Sequence, residues 1–145
     1  MKPYTVGKLL SFINRIAQRD LAEMLKPHDI GSGGQHSYLR AILTNPGMNQ
    51  DQLTNEVKFD KATTTRCIRQ LEESGYVKRT VDPEDRRSYL LYPTERAIAF
   101  EPTLQSILDA YNRKLTACLS ASEIETLHEI LQKMYDGQNN QRLDL

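Results

Sequence analysis

Apolar residues recur at intervals of three and four over much of the chain, which is the spacing of amphipathic helices. The pattern predicts a first helix over residues 5–25, with apolar positions Val6, Leu9, Leu10, Ile13, Ile16, Ala17, Leu21 and Leu25. Pro27 and the "GSGG" of residues 31–34 end this helix and form a loop. A second helix is predicted over residues 35–43, and the "TNPG" of residues 44–47 ends it.

Two polar residues mark the starts of the next two helices. Asn49 precedes a short third helix and Asp60 precedes a fourth helix over residues 61–74, because the side-chain oxygens of Asn and Asp accept hydrogen bonds from free N–H groups at a helix start. Gly75 follows the fourth helix at the position where a left-handed backbone commonly ends a helix.

The last third of the chain predicts two further helices. Thr94 caps a fifth helix that reaches toward Leu119, with a kink or break at Pro102 because proline lacks a backbone N–H. The run from Ser120 to Glu123 is a capping box for a last helix that is predicted to end near Tyr135. The polar residues that follow are expected to fray.

Between the fourth and fifth helices the pattern changes to that of a β-hairpin. Residues 76–81 and 88–92 read as strands, and the "DPED" of residues 82–85 supplies turn chemistry. The order of elements predicts a mainly α protein with a small β-hairpin, of the α+β class. Its central unit, residues 49–92, is a winged helix-turn-helix.

The fourth helix presents two chemically different sides when successive residues are turned by 100°. Cys67, Ile68 and Leu71 point inward with Thr64 beside them. The opposite side carries a set suited to the major groove of DNA: Ala62, Thr65, Arg66 and Arg69, flanked by Lys61 and Thr63. Arginine pairs with guanine O6 and N7, threonine bonds base edges or phosphates, and alanine contacts the thymine methyl. The alternative is an ordinary surface helix with a solvated basic side.

The hairpin tip carries Asp85, Arg86 and Arg87 in succession. A hairpin beside a groove-reading helix reaches the adjacent minor groove, whose negative potential attracts arginine. We expect Asp85 to orient one of the arginines through a charge-assisted bond. The alternative is a solvated loop, since surface ion pairs are common and contribute little.

The overall charge neither requires nor excludes nucleic acid as a partner. The 145 residues, most simply one domain, carry a formal net charge of zero, which argues against binding by bulk positive charge. Residues 58–96 hold nine basic and seven acidic side chains and so have a net charge of +2. Placement of the charges therefore matters more than their sum.

Several classes of protein are disfavoured by what the pattern lacks. No run of about 18 apolar residues suggests a membrane span, and the N-terminus does not read as a secretory signal, so a cytoplasmic location is expected. The two cysteines and three histidines are scattered, which predicts no metal and no cofactor. No catalytic pattern is apparent, so an enzyme is not expected. Cys67 is read as a packed thiol, with redox sensing as the weaker alternative.

The segment "DKATTTRCIRQLEESGYVKRTVDPEDRRSYLLYPTERA", residues 60–97, resembles the signature of the MarR family of transcriptional regulators. That signature has an Asp-opened recognition helix with Thr and Arg, then Leu-Glu-x-x-Gly, a hydrophobic strand, Asp-Arg-Arg and Leu-Thr-x-x-Gly. This chain departs from it at Pro93 and Ala97, where an aliphatic residue and a glycine are usual. The likeness extends over nearly the whole chain. The reactive first-helix cysteine of the peroxide-sensing branch is missing here.

The resemblance implies an obligate homodimer that binds double-stranded DNA at a pseudo-palindromic operator, usually as a repressor. The DNA-binding lobe would span residues 35–93, and residues 5–26 and 94–136 would form the dimerisation helices. Apolar residues near the two ends of the chain support dimerisation independently, and we predict a dimer core of Leu119, Ile124, Leu127, Ile130, Leu131 and Met134. The alternative function is a winged-helix module that binds an acidic protein and has no operator.

The resemblance also implies a small anionic or phenolic effector that binds between the dimer region and the DNA-binding lobe. Candidate contacts are Lys8, His36, Tyr38 and Arg40, with Tyr4 as a further choice on the first helix. For each of these side chains, ordinary surface or packing roles are the alternative.

Overall fold

The computed structural model describes residues 3–142, and the chain divides into two compact units, Met1–Tyr111 and Asn112–Leu145. The described residues form six α-helices, one 3₁₀ turn and three short strands. In chain order they are α1 Val6–Leu25, the 3₁₀ turn Lys26–His28, α2 Gln35–Thr44, β1 Met48–Asn49, α3 Gln50–Val57, α4 Lys61–Glu73, β2 Val77–Val81, β3 Tyr89–Pro93, α5 Glu95–Leu115 and α6 Ala121–Arg142. This confirms the predicted α+β class.

The predicted hairpin belongs to a three-stranded antiparallel sheet in the order β1-β3-β2. β2 and β3 pair from Val77 opposite Pro93 to Val81 opposite Tyr89. The strand β1 was not predicted, and it pairs Met48 with Leu91 on the other edge of β3. Two residues are too short to show the alternation that identifies a strand, so only the pairing with β3 reveals it.

The first unit has a core in which α2, α3, α4 and the sheet meet. Its central side chains expose no more than 2% of their surface: Leu21, Leu25, Ile30, Tyr38, Leu39, Ile42, Leu53, Cys67, Ile68, Leu71, Tyr76, Leu91, Ala97 and Leu104. Each large aliphatic side chain buried this way stabilises the fold by about 1.5–3 kcal/mol before the entropy of ordering is subtracted. The helix-turn-helix is therefore held on a rigid base.

A chain of hydroxyl groups ties three helices together inside this core. The Tyr38 hydroxyl of α2 bonds Thr64 Oγ1 of α4 at 3.0 Å. The Thr64 hydroxyl also lies 3.0 Å from the Asp60 carbonyl and accepts from Thr54 Oγ1 of α3 at 3.0 Å. Because Thr64 is fully buried, these bonds supply the partners that a buried hydroxyl requires. They fix the position of α4 relative to α2 and α3.

Two helices differ from the predicted bounds. α5 runs unbroken through Pro102 and ends at Leu115, short of Leu119. Proline at position 102 leaves the carbonyl of Ile98 without its helical N–H partner, and Ile98 is 57% exposed, so solvent can satisfy that carbonyl.

The last helix was predicted to end near Tyr135 with a fraying tail, and this was wrong as far as Arg142, because α6 extends to that residue. The last part of the tail, residues 143–145, lies outside the described residues. The added turns contain no proline. Gly137, the weakest helix former among them, costs only about 1 kcal/mol relative to alanine. Within the described part of the chain, no helix has the length and apolar character needed to cross a membrane.

Candidate nucleic-acid interface

The two helices of the helix-turn-helix begin at the predicted caps. The Asn49 side chain accepts from Gln52 N at 2.8 Å, and the Gln52 side chain accepts from Asn49 N at 3.0 Å, which completes a capping box. Asp60 accepts from Thr63 N at 2.7 Å, and this hydrogen bond is the main reason that the pKa of the Asp60 carboxyl lies below its ordinary value. These caps confirm where α3 and α4 start.

The outward side of α4 is the one that the helical pattern predicted. Thr64, Cys67, Ile68 and Leu71 are the buried residues of the helix. The exposed residues are Lys61, Ala62, Thr65, Arg66 and Arg69. Thr63 is half-buried, and its hydroxyl donates to Asp60 Oδ2 at 3.0 Å. That bond ties the Thr63 hydroxyl to the cap.

One polar contact on this surface was not anticipated. Gln50, the first residue of α3, donates from Nε2 to Thr65 Oγ1 at 2.6 Å. The Thr65 hydroxyl donates in turn to the Lys61 carbonyl at 2.9 Å. The sequence gives Gln50 no distinctive signal, because the contact depends on how α3 packs against α4.

The hairpin of β2 and β3 is the wing of the winged helix-turn-helix. At its tip, the Asp85 carboxylate accepts a hydrogen bond from the backbone rather than from a guanidinium. Its Oδ1 accepts from Arg87 N at 3.1 Å, and its carbonyl accepts from Ser88 N at 2.9 Å. The expectation that Asp85 pairs with an arginine side chain was therefore wrong, because the carboxylate closes the turn locally. Within residues 3–142, neither Arg86 nor Arg87 forms an ion pair, and both are exposed.

The base of the wing is fixed by a third arginine that the helical and hairpin patterns did not single out. Arg79 of β2 donates from Nε to Glu72 Oε1 of α4 at 2.9 Å. Its guanidinium also lies 5.1 Å from the centre of the Tyr89 ring. The pair ties the wing to the end of α4 and neutralises one of the two acids there.

A cleft separates the start of α3 and α4 from the wing. Its volume is about 340 Å³. Charged and polar residues of both sides line it: Asn49, Gln50, Asp51, Lys61, Arg79, Asp85, Arg87, Ser88 and Tyr89. Lys61 of α4 and Arg87 of the wing therefore belong to one concave surface, although 26 positions of sequence separate them. We call this surface the helix–wing cleft.

The junction between the wing and α5 depends on Arg96. Its guanidinium lies 4.4 Å from the centre of the Tyr76 ring and binds Asp29 Oδ2 at 2.8 Å. It also donates to the Ser74 carbonyl at the end of α4. The sequence pattern did not identify this residue, because its partners come from two other segments of the chain, one at Asp29 and one at residues 74–76.

The four candidate effector contacts do not form one group. His36 and Arg40 line a surface cleft of about 420 Å³ with Ser37, Ala41, Thr44, Asn45, Glu56, Val57 and Leu108. Burial lowers the pKa of His36, so Arg40 supplies the positive charge at neutral pH. Lys8 lies on α1 near the Tyr4 and Phe12 rings and does not line this cleft.

Tyr38 does not reach that cleft. It is fully buried, bonds Thr64 and stacks on Phe59 with ring centres 5.8 Å apart. Its proposed contact with an effector is therefore corrected to a role in the core, because residues 36 and 40 lie on a different side of α2 from residue 38.

The two cysteines differ in exposure. Cys67 is buried against the Gly33 carbonyl, and burial raises the pKa of its thiol, whereas Cys118 is exposed. A raised thiol pKa disfavours the reactive thiolate. Among residues 3–142 no three His, Cys, Asp or Glu side chains are grouped to hold a metal ion.

Comparison with known proteins gives one consistent result. The model of the MarR family matches residues 32–89. The multiple antibiotic resistance protein MarR of Escherichia coli is 29% identical over 130 residues, which cover 89% of this chain and 90% of that protein.

Solved structures agree over most of the chain. A MarR transcriptional regulator from Methanosarcina mazei has a TM-score of 0.85 at 31% identity, covering 93% of this chain and 96% of the other. A mutant MarR from E. coli complexed with operator DNA has a TM-score of 0.80 at 28% identity, covering 89% and 92% of the two chains.

Proposed function

The chain belongs to the MarR family of transcriptional regulators, and we propose that it is a dimeric, effector-responsive repressor of a pseudo-palindromic operator. The observation that carries the proposal is the helix–wing cleft. It joins Lys61 of α4 to Arg87 of the wing. Arg66 and Arg69 are exposed on the same helix, and neither Arg86 nor Arg87 forms an ion pair among the described residues. In the proposal α4 enters the major groove of a duplex and the wing enters the adjacent minor groove.

In this proposal each side chain has a distinct task. Arg66 and Arg69 pair with base edges in the major groove, and Ala62 permits close approach. The Thr65 hydroxyl proton is donated to the Lys61 carbonyl, so Thr65 contacts a base through its methyl group or through its hydroxyl oxygen as an acceptor. Lys61 lies toward the phosphates, whereas the Thr63 hydroxyl is already bonded to Asp60 and holds the cap at the start of α4. Arg86 and Arg87 enter the minor groove, and Asp85 supports them by closing the turn.

Two exposed apolar surfaces support dimerisation. The large apolar side chains that are exposed on α1 have relative exposures from 42% to 64%. They are Val6, Leu9, Leu10, Ile13 and Ile16. On α6, Ile124, Ile130, Leu131 and Met134 are exposed by 38% to 51%. Contiguous exposed apolar side chains on a soluble protein commonly mark an interaction surface. A partner subunit would remove them from water.

The proposed organisation follows from these tasks. Residues 1–145 act as one domain, with a DNA-binding lobe at residues 35–93 and dimerisation helices at residues 5–26 and 94–136. Because its target is DNA, we place the protein in the cytoplasm.

The competing function is a winged-helix module that binds an acidic protein. Binding to duplex DNA decides between this function and that of a DNA-binding repressor.

Titration on DNA tests the function directly. Footprinting of purified protein, beginning with its own promoter, would supply the operator. We expect tight binding to that duplex, weaker binding to a scrambled duplex, and a log–log salt slope of several units, because each neutralised phosphate contributes about −0.9. No binding to any duplex at low salt would contradict the proposal and favour a protein partner.

The cleft beside α2 is the proposed effector site, with Arg40 as the anion contact and His36 beside it as a neutral ring. Arg40 is half-buried there, and a guanidinium binds a carboxylate through two parallel hydrogen bonds. The flanking Val57 and Leu108 would pack against an apolar ring. The expected ligand is a small aromatic acid or phenol.

We predict that an aromatic carboxylate such as benzoate releases the protein from its operator and that Arg40→Ala raises the required concentration by roughly tenfold or more, since a bond to a charged group contributes about 1.5–3 kcal/mol. Fluorescence anisotropy of the labelled operator measures the release. Lys26→Ala removes the same charge from an exposed turn outside the cleft and serves as the control. Equal responses of both variants would contradict the assignment.

A further inference from the structure

We propose that Gln50 is a base-reading residue and that, with Thr65, it selects an A·T pair in each half-site of the operator. The proposal rests on the proposed function, because it assumes that the exposed side of α4 enters the major groove. It adds a residue from α3 to the set on α4.

The hydrogen-bond donors around Thr65 fix which atom of Gln50 faces it. The Thr65 hydroxyl has one proton, which is donated to the Lys61 carbonyl at 2.9 Å. A backbone carbonyl can only accept, so Thr65 Oγ1 must act as an acceptor toward Gln50. The atom of Gln50 at 2.6 Å is therefore the amide nitrogen.

This bond leaves half of the amide available to a ligand. Gln50 retains one N–H donor and the carbonyl oxygen Oε1, and no other side-chain hydrogen bond of Gln50 is found within residues 3–142. A donor beside an acceptor on one planar amide matches adenine, which presents N7 as acceptor and the N6 amino group as donor. Guanine presents two acceptors on the same edge and cannot satisfy the amide oxygen.

The position of Gln50 suits a groove contact. Its side chain extends from the first turn of α3 to the exposed side of α4, and Gln50 lines the helix–wing cleft together with Lys61. The bond to Thr65 restricts the rotamers of the glutamine, so less side-chain entropy is lost when a base binds. Arg66 follows Thr65 directly in sequence and is also exposed.

Selection from a randomised duplex library, followed by sequencing, tests the proposal with wild-type protein, Gln50→Ala, Gln50→Glu and Asn55→Ala. Asn55 is an exposed amide elsewhere on α3 and is the matched control. We expect the wild type and the control to enrich the same motif. In Gln50→Ala the preference for adenine over the other bases should fall roughly tenfold at one position per half-site. The preferences at the other positions and the melting temperature should not change.

Gln50→Glu gives a sharper result, because a carboxylate accepts but cannot donate. It should exchange the adenine preference at that position for cytosine, whose N4 amino group is a donor. An unchanged motif in Gln50→Ala, or a uniform flattening of all positions with a lower melting temperature, would overturn the role of Gln50 in base reading. A wild type that enriches no motif would instead overturn the proposed function itself.

Discussion

Substitution of Leu131 by glutamate is expected to convert the protein to a monomer and to lower its operator affinity by about a hundredfold or more. Leu131 is 40% exposed in the single chain, so a charge there is solvated in the monomer and does not disturb its fold. In a dimer the same carboxylate would be buried in an apolar interface without a partner, which is strongly unfavourable. Loss of the dimer removes the simultaneous use of two half-sites.

The oligomeric state is measured by sedimentation or light scattering, and the affinity by anisotropy on operators with one or two half-sites. Gln132→Glu adds the same charge on the polar side of α6. It replaces the Gln132–Asp136 hydrogen bond by a like-charge pair that costs only about 0.2–0.5 kcal/mol, and it should leave the dimer intact. Affinity for a single half-site should be nearly equal in wild type and Leu131→Glu. A Leu131→Glu protein that remains dimeric would contradict the assignment of this helix to the interface.

Substitution of Arg66 by alanine is expected to weaken operator binding by roughly tenfold to a hundredfold and to weaken binding to a scrambled duplex much less. The reason is that a bidentate arginine–guanine pair discriminates between bases by about 1–3 kcal/mol, whereas a phosphate contact does not discriminate. Arg66 is exposed. Its Nη2 lies close to Gly33 in the loop before α2, since a Cβ at that glycine would be 3.6 Å from it. Its removal should not change the melting temperature.

Arg87→Ala provides the contrast within the same protein. A wing arginine in the minor groove interacts mainly with the negative potential, so its loss should lower affinity for both duplexes and reduce the magnitude of the salt slope by about 0.9. Titrations of both variants on both duplexes at several salt concentrations separate the two roles. Equal losses on operator and scrambled duplex for Arg66→Ala would count against base reading by that residue.

Most of the fold follows from local features of the sequence. The spacing of Cys67, Ile68 and Leu71 identified the buried side of α4, and the caps Asn49, Asp60 and Ser120 identified three helix starts that the structure confirms. These signals act within three or four residues of the chain. They are therefore readable without knowledge of the tertiary structure.

The sequence by itself determined the order of elements, the polarity of each helix and the positions of the basic side chains on α4 and the wing. The tertiary structure decided what depends on contacts between distant segments. These are the pairing of β1 with β3, the bond of Gln50 to Thr65, the burial of Tyr38 and the ion pair of Arg96 with Asp29. Helical periodicity and capping are properties of neighbouring residues. Strand pairing and buried hydrogen bonds arise only after packing brings separate segments within about 3 Å of each other.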